Sequence, residues 1–224
     1  MKKEKIYIPA RYKSKRFPGK LLKNINGNPM LLSIAKKVEK IGFLPIIVTG
    51  DKIIINFAKK NKISYLKSKS KHISGMSRVS EVIKKNNSQI IYILFGDELF
   101  LSEKHIKKFV EYVKRKKKNN CWHLLTKIKE IDKNDLNVVK CAVNQKNEII
   151  DFSRKYKKKY NYKCVGLFAF KKDVLSKYDK LNKSKKELIM KVEQFKLLEN
   201  NIKINSLSID HIQNSINSKK DLEA

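Results

Sequence analysis

Residues 90–116, IIYILFGDELFLSEKHIKKFVEYVKRK, decide the fold. They open on an unbroken apolar run of strand length, the most apolar in the chain, and then turn sharply through FGDELF (95–100). From Glu103 the apolar positions change period, and Ile106, Phe109, Val110 and Val113 fall on one face of a helix. Ser102 stands at its start as a natural N-cap. The same strand-then-helix pair occurs twice upstream. IYIPA (6–10) precedes residues 30–41, where Ile34, Val38 and Ile41 share a face, and PIIVTG (45–50) precedes residues 53–60. This β-α-β-α rhythm predicts an α/β fold with a mostly parallel sheet covered by helices.

From residue 137 the rhythm breaks. VVKCAVNQKNEIIDFSRK (138–155) holds two short β runs joined by a polar turn, which predicts a β-hairpin, and CVGLFAF (164–170) predicts a further strand. An amphipathic helix over 187–200 and the strand INSLSID (204–210) follow. Neither an internal repeat nor a low-complexity linker is present. The expectation is one domain over 1–224, with the hairpin and helix of about 137–200 forming a lobe.

Several function classes are weakened by composition. The chain has 224 residues with no apolar run long enough to span a membrane, and MKKEKIYIPA enters a strand and not a signal-peptide core, so the expected location is cytoplasmic. Cys121, Cys141 and Cys164 form no CxxC pair, which argues against a zinc site or a disulfide framework. Fifty-three basic residues against 21 acidic give a net charge of +32, which by itself points to a polyanion. The excess is mostly lysine spread along the chain beside abundant Asn and Ile. No helix-turn-helix pattern or aromatic-interleaved RNA motif accompanies it, so a solvated surface is favoured over nucleic-acid binding.

Three segments carry chemistry. The first strand runs into PARYKSKRFPGK (9–20), a basic loop placed where open α/β sheets bind ligands, with Arg11, Arg16 and Lys20 as phosphate clamps. It lacks the spacing of a P-loop, and a merely basic turn is the alternative. Asp97, just beyond the apolar strand, suits Mg²⁺, which takes one or two carboxylates plus phosphate oxygens. Capping of the next helix by Asp97 or Glu98 is the alternative there. In HISGMSR (72–78), Ser74 and Gly75 let backbone donors approach a ligand, and Arg78 can face an anion or a base.

IPARYKSKRFPGKLLKNINGNPM (8–30), HISGMSRVSEV (72–82), GDE (96–98), NVVK (137–140), FSR (152–154) and EQFKLLEN (193–200), in that order, resemble the CMP-Kdo synthetases, the 3-deoxy-manno-octulosonate cytidylyltransferases. The resemblance implies a Rossmann-like fold of the nucleotide-diphospho-sugar transferase type, usually a homodimer, acting in lipopolysaccharide or capsule biosynthesis. In that family CTP and an acidic sugar react with Mg²⁺ as cofactor. It further implies that Pro9, Ala10, Arg11, Ser14, Arg16, Lys20, Ser74 and Arg78 hold the nucleotide, with Lys20 and Asp97 catalytic. Arg154, Glu193, Gln194 and Cys164 would face the sugar, and Asp97 and Asn217 the metal.

Three positions depart from the family pattern. Phe95 replaces a glutamine before GDE, Cys164 replaces a histidine before the VGLFAF strand, and Asn217 replaces the second metal-binding aspartate. All lie on the sugar and second-metal side. They suit an altered acceptor, and equally a nucleotide-binding homologue with reduced catalysis.

Overall fold

The computed structural model describes residues 3–13, 17–69, 71–85 and 88–216. The strands are β1 (Lys5–Pro9), β2 (Asn24–Ile25), β3 (Asn28–Pro29), β4 (Leu44–Thr49), β5 (Tyr65–Lys67), β6 (Ile90–Leu94), β7 (Cys121–Lys127), β8 (Lys140–Val143), β9 (Glu148–Ser153), β10 (Tyr162–Lys171) and β11 (Ile204–Ile209). The α-helices are α1 (Met30–Lys40), α2 (Lys52–Lys60), α3 (Gly75–Val82), α4 (Glu103–Arg115), α5 (Glu130–Lys133), α6 (Lys172–Ser176), α7 (Lys185–Met190) and α8 (Phe195–Glu199).

Among the described residues one sheet of nine strands runs in the order β5-β4-β1-β6-β10-β7-β11-β9-β8, while β2 and β3 pair separately. The first four strands are parallel, as the upstream rhythm predicts. β10 enters antiparallel between β6 and β7, and β9 antiparallel beside β11, so these two strands oppose the other seven. The expected hairpin is present as β8 and β9, turning through Asn147 at φ 58°, and it extends the same sheet. Apolar side chains bury on both faces. Ile34, Val38, Ile106, Phe109 and Val113 pack on one side, Met76, Val79, Phe170, Leu175 and Phe195 on the other.

Three element expectations are corrected. The helix read over 187–200 is two short ones, because Lys191 is left-handed at φ 53°, ψ 46° and ends α7. The sequence suggests a helix from Val79, but α3 starts at Gly75, since the Ser74 hydroxyl accepts the Ser77 N–H and caps it there. β7, CWHLLTK, emerges as a strand that periodicity did not single out, buried over its first six residues and so without alternation. Ser102 does cap α4, in a capping box with His105.

After β1 the chain crosses to β4 on one side, and after β5 it returns to β6 on the other. The loops leaving β1 and β6 therefore diverge at their carboxyl ends and open a crevice between them. Residues 9–13, 17–20 and 95–101 leave the sheet at that crevice.

Candidate active site

Two adjoining cavities occupy the crevice. The first, of about 520 Å³, is lined by the loop after β1, the start of α3 and the turn after β6. Pro9, Ala10, Arg11, Lys20, Ser74, Arg78 and Asp97 converge on it from segments up to 88 positions apart. Ser14 and Arg16 lie outside the described residues. Gly19 takes φ 69°, with the Tyr12 ring 3.2 Å from where a Cβ would sit, and this left-handed turn starts the short 3₁₀ helix that carries Lys20. The Lys20 ammonium lies 2.6 Å from Asp97 Oδ2 and 2.9 Å from the carbonyl of Ile216.

Across the cavity the first turn of α3 points inward. Its Met76 N–H donates to Glu193 Oε2 at 2.8 Å, so a carboxylate of the protein already occupies the positive end of this helix. Burial pushes the Glu193 carboxyl up to about 7. Gly75 has no room for a side chain, since a Cβ there would meet the Phe95 ring at 2.9 Å. Arg78 is buried and donates to Ser68 Oγ at 2.8 Å and to the Lys69 carbonyl at 3.2 Å, which ties it to the loop after β5 as well as to the cavity.

The second cavity, about 690 Å³, is walled by the residues before and after the hairpin, the start of β10, residues 189–194 and residues 212–215. Arg154, Cys164, Glu193 and Gln194, expected to face a sugar, all line it. Arg154 is heavily committed to backbone: Nε donates to Met190 O at 2.6 Å, one terminal nitrogen to Leu136 O at 3.0 Å and Asn137 O at 3.2 Å, the other to Lys191 O at 2.9 Å. It rivets the end of α7 to the loop before β8. These carbonyl bonds also fall at the break between α7 and α8.

Two buried lysines hold the remaining wall. Lys140 donates to the carbonyls of Asp135, Val138 and Arg154, and burial holds its ammonium below the usual lysine range. Lys163 pairs with the fully buried Asp132 at 2.9 Å and reaches Ile212 O at 2.8 Å and the Asn214 side chain. Cys164 is half-buried beside Cys141, and desolvation together with that second thiol raises its pKa well above normal, leaving a neutral thiol on the cavity wall.

The sequence offers Glu98 only as an alternative helix cap, and the structure gives it a different place. Its Oε1 accepts the Gly166 N–H at 2.7 Å and the Ser215 hydroxyl at 2.8 Å, beneath Asp97. Burial, and then Asp97, push its carboxyl up to about 7. Neither Glu98 nor Asp97 caps α4. Lys191, Glu187 and residues 212–215 also line the cavities without having been singled out. Their signal is weak because they are single residues far from the glycine-rich and basic motifs.

Residues 6–204 match the family model described as Cytidylyltransferase. The chain belongs to the cytidylyltransferase family. Relatives within the family include the 3-deoxy-manno-octulosonate cytidylyltransferase of Fusobacterium nucleatum, 31% identical over 96% of this chain and 92% of that protein. The enzyme of the same name from Lawsonia intracellularis is 31% identical over 96% and 90%. The solved CMP:2-keto-3-deoxy-manno-octonic acid synthetase complexed with CTP superposes with a TM-score of 0.89 at 26% identity, covering 99% of this chain and 96% of its own. At 15% identity the Thermotoga maritima (T. maritima) inositol-1-phosphate CTP transferase, TM-score 0.71, shares the fold. Family membership and the sugar-nucleotide transferase fold anticipated from the six motifs are thereby established.

Proposed function

We propose that this cytidylyltransferase transfers CMP from CTP to the anomeric hydroxyl of an acidic keto-sugar of the Kdo type and releases pyrophosphate. The observation that carries the reading is the pair of cavities, which share Arg11, Phe95, Asp97, Lys191 and Glu193 along their boundary. A nucleotide in the first and a sugar in the second would meet there. The sugar oxygen forms a bond to the α-phosphorus and releases its proton to solvent while the bond from that phosphorus to the bridging oxygen breaks, and pyrophosphate carries away the electron pair. Catalysis of this kind is mainly orientation and charge neutralisation.

In this reading Pro9, Ala10, Arg11, Ser74 and Arg78 seat the nucleotide, and Lys20 moves from Asp97 onto the phosphates. The donor set at Asp97 fits Mg²⁺, since one partly exposed carboxylate borders both cavities and phosphate oxygens supply further ligands. Asp97 would hold the ion with Asn217, which lies outside the described residues, and the ion would neutralise charge on the phosphates. Gln194, Cys164 and the wall riveted by Arg154 shape the sugar side. Exposed Leu136, Leu188 and Ile189 on the lobe support a homodimer, and among the described residues no helix is long and apolar enough to cross a membrane, in keeping with a cytoplasmic enzyme.

A second reading, a nucleotide-binding homologue with reduced catalysis, rests on Phe95, whose ring packs 5.2 Å from that of Phe168 and lines both cavities without a polar atom. Pyrophosphate release with Mg²⁺, across the four nucleoside triphosphates and a panel of acidic sugars, separates the two. CTP-dependent release with one acidic sugar supports the transferase. Stabilisation by CTP in a melting experiment without release from any sugar supports the binding-only reading.

A further inference from the structure

Among the described residues four cations line the acceptor cavity: Arg11, Arg154, Lys163 and Lys191. An acidic acceptor brings a carboxylate into this cavity, and a carboxylate leaving water needs a cation with donors to spare. Arg154 spends its guanidinium on four backbone carbonyls. Lys163 is buried in its pair with Asp132 and in bonds to Ile212 and Asn214. Arg11 follows the Pro9-Ala10 turn and also lines the nucleotide side, where the triphosphate claims it.

Lys191 differs from all three. It is exposed, makes no ion pair among the described residues, and sits within the run 189–194 that forms a continuous wall of the acceptor cavity, at the boundary with the nucleotide side. Its backbone is left-handed at φ 53°, a conformation that disfavours a side-chain-bearing residue, and Arg154 holds it by bonding the carbonyls of Met190 and Lys191 together. As the left-handed C-cap of α7, Lys191 carries its ammonium on the wall shared by the two cavities. Resting on the acidic-acceptor reading above, we infer that Lys191 is a specificity-determining residue whose ammonium pairs with the acceptor's carboxylate. The rivet at Arg154 then acts as its positioning residue.

The test is steady-state kinetics of Lys191→Met, Lys191→Arg and Lys191→Gly with an acidic keto-sugar and with the same sugar carrying an amide in place of the carboxylate. Lys191→Met should raise the KM for the acid roughly 10- to 100-fold, the size of a lost charge-assisted bond, with the KM for CTP unchanged. Its KM for the amide should equal that of the unaltered protein, and Lys191→Arg should retain most of the preference for the acid. Lys191→Gly relieves the left-handed strain, so an effect as large as that of Lys191→Met assigns the role to the charge and not to the backbone. Unchanged KM for the acid in Lys191→Met, or a rise confined to CTP, overturns the inference while leaving the transferase reading intact. If the unaltered protein releases pyrophosphate only with acceptors lacking a carboxylate, the acidic-acceptor reading and this inference fall together.

Discussion

The nucleotide side and the acceptor side of the crevice are built by different means. On the nucleotide side, contiguous motifs leave parallel strands or open a helix, and backbone geometry fixes them: the turn at Gly19, the cap at Ser74, the close approach at Gly75. On the acceptor side the wall comes from segments scattered over residues 136–215, and cationic side chains gather it by their carbonyls: Arg154, Lys140 and Lys163. The nucleotide side is shaped by tight turns and a capped helix start within its motifs, the acceptor side by cations that tie distant segments together. It follows that a few substitutions can remodel the acceptor side while the nucleotide site stays intact.

Removing one of those charges is the harshest way to break the contrast. Lys163→Met takes from the fully buried Asp132 its closest cationic partner, leaving it His211 Nε2 at 3.2 Å and the Lys129 N–H, and loss of one partner of a buried pair costs up to about 3–5 kcal/mol. Calorimetry should show a melting temperature lower by roughly 10 °C. Below the transition CTP affinity should persist while acceptor binding fails, and equal loss of both would erase the distinction between the sides.

Asp97→Asn strikes the boundary itself. Replacing the carboxylate proposed to hold the metal, which is also the partner of Lys20, should lower kcat on the order of 100-fold or more, with the fold intact by circular dichroism. Full activity would remove the metal from the mechanism.

Lys20→Ala touches only the nucleotide side. The KM for CTP should rise about tenfold, the loss of one charge-assisted contact, with the acceptor KM unmoved. A shift in the acceptor constant instead would place Lys20 in the other half.

The smallest effect concerns pH. Glu98 keeps its proton in the folded state up to about 7 against an ordinary 4.5, so between those values the folded protein binds protons that the unfolded chain releases, and stability falls as pH rises through the window. Glu98→Gln keeps an acceptor for the Gly166 N–H and abolishes the ionisation. Its melting temperature relative to the unaltered protein should therefore climb between about pH 5 and about pH 8. A constant difference across that range would show that Glu98 does not titrate there.

The contrast also explains what the sequence discloses. Helices α1, α2 and α4 were legible because burial of one face imposes a period, β1, β4 and β6 because strands buried on both faces read as short unbroken apolar runs, and the nucleotide loop because phosphate contact demands glycine and cations close together. β7 lacks alternation too, but His123 and Thr126 interrupt its apolar run, and the break at Lys191 coincides with bonds from Arg154, 37 residues away. Arg154, Cys164, Glu193 and Gln194 were placed on the acceptor side by resemblance, but nothing in the sequence discloses that Arg154 spends its donors on the chain.

Gly166, in β10, lies beside the point where β6 gives way to the active-site turn. Its carbonyl accepts the Phe95 N–H at 2.7 Å, its own N–H goes to Glu98, and a Cβ would fall 2.8 Å from both Glu98 Oε1 and Phe95 Cβ. Positions 95, 98 and 166 can therefore drift only as a set during evolution. A side chain at 166 would press on the Phe95 Cβ and displace the Glu98 carboxylate, which would release Ser215. Lineages that exchange their acceptor should show correlated replacements at these three sites, and a single swap made in isolation should prove harmful even where each residue is tolerated in its own background.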